Sequence, residues 1–268
     1  MDRYRIPSRA QVDLSSRDTR DKSAFAGLKK DTSIEALLER RLKLATLQQR
    51  LWADGSHALL VVLQAMDTGG KDGTIRKVLS GVNPQGVDVN GFGVPSDEEI
   101  DHDYLWRVHA HSPAKGRIAV FNRSHYEDVL VVRVNELVPE SRWSKRYGHI
   151  REFERMLTDE GTTIVKIMLH ISKDEQKKRL ESRLVDPSKG YKFNPSDLDS
   201  RARWPSYMRA YEEALAQTST EAAPWFVVPA DRKWYRNLVV AQIIIDALES
   251  MDLKYPEPEF DLSNVVIT

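Results

Sequence analysis

The amino-acid sequence predicts an α/β fold, a mainly parallel sheet covered by helices on both faces. Three observations carry this. Short strand-like runs alternate with helical stretches along the chain. The runs are nearly all apolar rather than alternating, as strands buried on both sides must be. The first run, residues 59–63, leads straight into a glycine-rich turn that opens a helix, the strand–turn–helix unit of this fold class.

The elements follow in order. Residues 1–31 are polar and irregular and read as an N-terminal tail on a domain spanning residues 32–268. Thr32 and Glu35 have capping-box spacing and open a helix to about residue 53, with Leu37, Leu38, Leu42, Leu44, Leu47 and Leu51 as its apolar face. Asp54-Gly55 stops it, and residues 58–64 form the first core strand. A helix follows the glycine turn, with Ile75, Val78 and Leu79 at helical spacing. After a turn at 82–86 come a second strand at 87–92 and a second capping box, Ser96 and Glu99, opening a helix through 106–109. Pro113 and Gly116 end that unit, and 117–122 form a third strand. A long charged helix spans 141–159, and Gly161 breaks it. A β-branched strand at 163–171 precedes a third capping box, Ser172 and Glu175, and a helix through Arg183. Beyond the turn-rich stretch 186–204 lie a helix at 205–217, a strand at 225–228 and a last helix ending near Met251.

Composition narrows the function. The 268 residues carry 40 Lys+Arg and 40 Asp+Glu, so no global charge points to nucleic acid or a membrane surface. The absence of cysteine removes disulfides and thiolate metal sites and accords with a reducing compartment. No apolar run approaches a spanning helix and the start does not read as a secretory signal, so the expected location is the cytoplasm.

The stretch LLVVLQAMDTGGKDGT, residues 59–74, has the layout of a phosphate cradle. Glycines let backbone N–H groups approach phosphate oxygens, the helix N-terminus adds partial positive charge, and a lysine neutralises the transferring group. Gly69, Gly70, Lys71, Gly73 and Thr74 are the candidate phosphate contacts. The usual G-x-x-x-x-G-K-[ST] pattern is altered: Ala65 holds the first glycine position and Asp72 the Ser/Thr position. Asp67 and Asp72 thus flank Lys71, and paired carboxylates suit a hard cation such as Mg²⁺ or Mn²⁺.

The third strand runs into FNRSHYEDV, residues 121–129. Parallel strands place the ends of the first and third strands side by side, so both loops are expected at one site. Arg123 can clamp a phosphate, and Glu127 or Asp128 can hold metal-bound water or orient an acceptor. Asn122 and His125 are further candidate contacts. Residues 183–209 hold Arg183, Lys189, Lys192, Arg201, Arg203 and Arg209 among Tyr191, Phe193 and Trp204, and read as a lid bringing cations over the phosphate. His109 and His111 do not share a helix face and read as ordinary histidines. The arginines 142, 146, 151 and 155, with Glu152 and Glu154, read as a solvated face, Arg146 and Arg151 extending a polyanion track.

Together these stretches resemble the polyphosphate kinase 2 family, from LQAMDTGGKDGTI through FNRSHYEDVLVVRV, HIREFERMLTDEGTTIVKIMLHIS and RLVDPSKGYKFNPSDL to TEAAPWFVVPADRKWYRN. The resemblance implies a three-layer α/β/α P-loop kinase fold with a helical lid. It implies Mg²⁺-dependent, reversible phosphoryl transfer between inorganic polyphosphate and AMP, ADP or ATP, and a homo-oligomer, dimer or tetramer. It puts the family's functional positions on Asp67, Lys71, Asp72, Arg123, Arg183, Lys189 and Lys192. The form Asn122 to Glu127 resembles class III members, which accept both AMP and ADP. Asn122 stands where an acidic residue is usual, and Gly190-Tyr191 replaces a basic or His residue and Trp. From the residues alone, an ATP-dependent kinase of a small metabolite and a non-catalytic polyanion-binding module stay open.

Overall fold

The computed structural model describes residues 1–261 and 267. Six strands, β1 (Arg5–Ile6), β2 (Ala58–Gln64), β3 (Val87–Gly91), β4 (Ile118–Asn122), β5 (Thr162–His170) and β6 (Trp225–Pro229), form one sheet in the order β1-β6-β5-β2-β4-β3. β2 to β6 pair in parallel, and β1 joins β6 antiparallel. The helices are α1 (Ser33–Asp54), α2 (Lys71–Val78), α3 (Asp97–Asp101), α4 (Trp106–His109), α5 (Val131–Val134), α6 (Glu140–Asp159), α7 (Lys173–Val185), α8 (Ser196–Ala202), α9 (Trp204–Thr218) and α10 (Lys233–Glu249).

Strand geometry sends successive side chains to opposite faces, and two cores result. Leu59, Val61 and Leu63 of β2 pack with Leu44, Leu47 and Leu51 of α1 and with α10. Leu60 and Val62 pack with Trp143, Ile150 and Phe153 of α6 and with Tyr207 and Tyr211 of α9. The expected α/β architecture, a mostly parallel sheet between two helical layers, is the one observed.

Several local expectations change. Thr32 forms no capping box, because its hydroxyl bonds Lys29 N and O and its backbone is already helical. The buried stripe of α1 is Ser33, Ala36, Leu44, Leu47, Gln48 and Leu51, while Leu38 and Leu42 face solvent, turned off that stripe by the 3.6-residue period. The capping box at Ser96 and Glu99 forms, but its helix ends at Asp101. The Asp103 carboxylate then accepts from Leu105 N at 2.9 Å, and this turn separates α3 from α4. Residues 1–31 lie on the body: Ile6 pairs with Trp225, Val12 and Leu14 are buried, and the Tyr4 and Tyr235 hydroxyls are 2.7 Å apart.

The α6 face is not wholly solvated. Glu154 is buried and accepts from Lys166 Nζ at 2.5 Å and from the Tyr126 hydroxyl at 2.7 Å. Lys166 lies mid-strand in β5 and also donates to Thr218 O at 2.7 Å. The attraction of Lys166 offsets burial and holds the Glu154 carboxyl below its usual range. Arg146 donates to Asp128 at 2.7 Å and Arg151 to Gln217 O at 2.8 Å.

His125 and His170 are both buried, and burial lowers both pKa values below the ordinary 6.5. The unfolded chain therefore takes up protons below pH 6.5 that the folded chain refuses. Stability is complete above that pH and is lost as pH falls toward the folded-state values. Burial raises the Asp128 carboxyl to about 6, which acts in the opposite sense over the same range, so the histidine effect is read as a difference. From about pH 7.5 to 5.5 we expect the Tm of His125→Gln to fall less, or rise more, than that of the unaltered protein. Equal changes measured by circular dichroism would contradict this reading.

Candidate active site

Two loops meet at the carboxyl ends of adjacent strands. Leu63 of β2 is in register with Asn122 of β4, and Arg123 N donates to Leu63 O at 3.1 Å. Gln64, fully buried, donates from Nε2 to Ser124 Oγ at 3.1 Å and so ties the two loops together.

The first loop turns tightly. Gly69 N donates to Met66 O at 2.9 Å, Thr68 has φ +61°, and Gly70 has φ +101°. α2 then starts at Lys71, and its first bonded backbone donor is Thr74 N, to Gly70 O at 2.9 Å. The amides of Lys71, Asp72 and Gly73 precede that bond and have no intrahelical acceptor. Lys71, Asp72 and Gly73 line a cleft of about 620 Å³ with Asp67, Asn122, Arg123, Arg183 and Lys192.

Lys71 Nζ donates to Ala65 O at 3.1 Å, across the loop. Burial and then Arg123 lower its pKa, opposed by Asp67, Glu127 and Asp72. Arg123 has φ +64°, donates to Asp67 Oδ1 at 3.0 Å and lies 4.0 Å from Glu127. Burial works against its charge, but Glu127 and Asp67 outweigh burial and its pKa rises. Burial raises the Glu127 carboxyl, against Arg123 and Lys71. Asp72 is exposed; Asn122 Nδ2 donates to its Oδ1 at 2.7 Å, and Lys192 Nζ is 3.9 Å from its Oδ2. Arg123 and Asn122 thus each hold one carboxylate by Oδ1, and both acids line the same cleft. That donor set suits a hydrated divalent cation shared with phosphate oxygens. Among the described residues no cluster of three or more His, Cys, Asp or Glu forms a cage without such help.

Arg183 lines the cleft and donates to Lys192 O at 2.7 Å and Asp197 Oδ2 at 2.9 Å. Three predicted contacts point elsewhere. Thr74 is buried, its hydroxyl donating to Gly70 O at 3.0 Å. His125 is buried with Nε2 at 3.4 Å from Glu154, because the 3₁₀ turn after Ser124 swings it into the α6 core. Lys189 is bonded to Asp186 and does not line the cleft.

Sequence reasoning missed the residues under and beside the cradle. Arg179 donates to Thr68 O and Gly69 O, both at 3.0 Å, and to Ala230 O at 2.7 Å. It also pairs with Glu175 at 2.7 Å, so that the third capping box is only half made: Ser172 accepts from Glu175 N while the Glu175 carboxylate goes to Arg179. The spacing Glu175, Arg179, Arg183 along one helix face was the available signal. Arg236, 2% exposed, lies against Gly70 and Gly73, and among the described residues its guanidinium bonds only the Asn237 side chain. Burial and then Arg179 lower its pKa to about 9, so it stays a cation at neutral pH. Asp197 is buried, and burial followed by Asp67 raises its pKa against Arg183, Arg123 and Lys71. A second cleft of about 470 Å³ shares Asp67, Arg123, Asn194 and Asp197 with the first and adds Leu130, Val131, Tyr207 and Tyr211.

The family model for polyphosphate kinase 2 (PPK2) matches residues 27–256. An AMP/ADP-polyphosphate phosphotransferase of Meiothermus ruber is 55% identical over 267 residues, 100% of both chains. An ADP-polyphosphate phosphotransferase of Rhodopseudomonas palustris is 46% identical over 95% of this chain and 91% of its own. The crystal structure of polyphosphate kinase 2 from Arthrobacter aurescens TC1 superposes with a TM-score of 0.93 at 45% identity, covering 97% of this chain and 92% of that one.

Gly70 and Gly81 share a φ of +101°, but a Cβ on Gly70 would lie 2.1 Å from Arg236 Nη1 while Gly81 faces open space. Ala at 81 carries backbone strain alone, about 1–3 kcal/mol. We expect Gly70→Ala to lower Tm clearly more than Gly81→Ala in thermal melts; equal losses would show that Arg236 does not hold the cradle from below.

Proposed function

The chain belongs to the polyphosphate kinase 2 family, and from that premise we propose that it transfers phosphoryl groups reversibly between inorganic polyphosphate and AMP and ADP, forming ADP and ATP. One observation carries the placement of the substrates. Asp67 and Arg123 stand where the cationic cleft of the cradle meets the cleft lined by Tyr207 and Tyr211. The polyphosphate end belongs in the first, held by the amides of residues 71–73 and Lys71. The nucleoside belongs in the second, where aromatic and apolar walls suit a purine.

The acceptor's phosphate oxygen attacks the terminal phosphorus of polyphosphate. A new P–O bond forms as the bridging P–O bond breaks, and the polyphosphate leaves one unit shorter. The attacking oxygen is already an anion, so no proton needs to move. The chain's task is positioning and charge neutralisation, which Lys71, Arg123 and Arg183 supply around the transferring group. Asp67 and Asp72 would hold a divalent cation such as Mg²⁺ or Mn²⁺, which would supply further neutralisation of the transferring group's charge.

We read residues 32–268 as the phosphotransferase domain, with residues 1–31 as an N-terminal tail held on it. Residues 183–209 act as a lid over the cleft, a reading supported by Lys192 reaching toward Asp72 and Arg183 pairing with Asp197. A homodimer or homotetramer in the cytoplasm belongs to the same proposal. Among the described residues no helix is long and apolar enough to cross a membrane.

The test is product formation by the purified protein with Mg²⁺ and long-chain polyphosphate, with AMP and ADP as separate acceptors. We expect ATP from ADP, and ADP and then ATP from AMP. Lys71→Ala should lower kcat by about 10²–10³-fold or more, the cost of removing one donor aimed at the developing charge. Near-normal turnover in that variant would refute the assigned site.

A further inference from the structure

Arg201, which the sequence places among the cations over the phosphate, points to α7 instead. Its Nη1 donates to Lys173 O at 2.6 Å and to Gln176 Oε1 at 3.2 Å. Two residues on, Arg203 Nη1 donates to Asn135 Oδ1 at 2.9 Å and to Val134 O at 3.2 Å. The junction of α8 and α9 is thus pinned to the start of α7 on one side and to the end of α5 on the other.

Gln176 is fully buried and joins this clamp to the reaction centre. Its Nε2 donates to Asp67 O at 3.2 Å. Arg179 holds the next two carbonyls, Thr68 O and Gly69 O. α7 therefore grips three successive carbonyls of the glycine turn, and Gln176 ties the first of them to the lid. Its two partners fix how the amide lies. A guanidinium only donates and a carbonyl only accepts, so the amide oxygen faces Arg201 and the nitrogen faces Asp67. A carboxylate at this position could not donate to Asp67 O, and an apolar side chain could serve neither partner. The buried oxygen has its charged donor only while the lid is docked. Neither Gln176 nor Arg201 lines a substrate cleft, whereas Asn194 and Asp197 of the lid line both, so docking the lid narrows both together.

We propose that Gln176 is a positioning residue through which the docked lid sets Asp67. Arg201 fixes the amide, and the amide holds the Asp67 backbone so that its carboxylate stays on Arg123, where the two clefts meet. The inference rests on the transfer reaction proposed above. Its consequence is the choice of acceptor. With the lid docked, the nucleotide's oxygen attacks the terminal phosphorus. With the latch broken, the lid opens more often and water attacks the same phosphorus. In that side reaction water supplies the new P–O bond, the bridging P–O bond breaks and orthophosphate leaves. The water's protons pass to the phosphate products and the solvent.

The test uses full-length Gln176→Leu, Arg201→Ala, their double variant and Arg201→Lys, each assayed well below its Tm. ATP formation from ADP and long-chain polyphosphate is measured with Mg²⁺, together with the orthophosphate released per ATP formed. We expect Gln176→Leu and Arg201→Ala each to lower kcat about tenfold to a hundredfold, the scale of a misplaced reacting group. The KM for polyphosphate should stay within about twofold, because neither side chain touches that substrate. Orthophosphate per ATP should rise severalfold in both. The double variant should be no worse than the poorer single one, since the two residues act as one unit. One nitrogen of Arg201 makes both contacts, so Arg201→Lys should restore most of the kcat and the low orthophosphate yield. Unchanged kcat and orthophosphate yield overturn the proposal, as does a lowered Tm with both of these intact, which is a purely structural role. Additive losses, or a polyphosphate KM raised in step with the fall in kcat, overturn it too. An unaltered protein inactive with polyphosphate refutes the reaction itself, whereas an active one with indifferent variants refutes only the latch. If Gln176→Leu misfolds, the surface variants Arg201→Ala and Arg201→Lys decide the matter by the same readouts.

Discussion

A loop that offers its amides to a phosphate must be held open without filling the space the phosphate needs. Two buried guanidinium groups meet that constraint here. Arg179 fixes the turn by its carbonyls, at Thr68 and Gly69, and so leaves the first N–H groups of α2 unengaged by it. Arg236 packs under Gly70 and Gly73, with no carboxylate partner among the described residues. Burying a cation without a full partner is costly in the unliganded protein. An anion in the cradle removes part of that cost, so the same two residues that shape the loop also favour what it binds.

The rest of the fold delivers a second loop to the first. β4 lies beside β2 in parallel, which brings Arg123 within 3.0 Å of Asp67. Arg123 keeps a positive φ, a conformation that a surrounding structure must impose. The segment after it is anchored in the α6 face, where Tyr126 and Lys166 satisfy Glu154. A buried lysine in the central sheet is thus part of what holds an arginine at the surface of the cleft.

Much of this was legible in the sequence. Apolar strands between helices gave the parallel sheet, and the glycine-rich stretch after the first core strand gave the turn and the helix that starts at Lys71. The motif-bearing residues Asp67, Asp72, Asn122 and Arg123 all converge on one cleft, since adjacent parallel strands leave them little choice. What pattern reasoning could not supply was the direction of individual side chains. His125 sits two residues from Arg123 yet is turned into the core, and Thr74 spends its hydroxyl on its own helix. Glu154 reads as one more charge on a charged helix until β5 places Lys166 opposite it. Arg179 and Arg236 belong to helices distant in sequence from the cradle, and only tertiary packing brings them beneath it.

In the proposed complex phosphate is held by the cradle and the nucleoside by the tyrosine-lined cleft, and the two meet between Asp67 and Arg123. The most direct measurement is a crystal structure with AMP and a non-reacting, methylene-bridged oligophosphate. We expect the terminal phosphate on the amides of residues 71–73 and Lys71 Nζ, with the adenosine against Tyr207 and its phosphate facing Arg123. Oligophosphate bound away from the cradle, or AMP occupying it, would contradict the account.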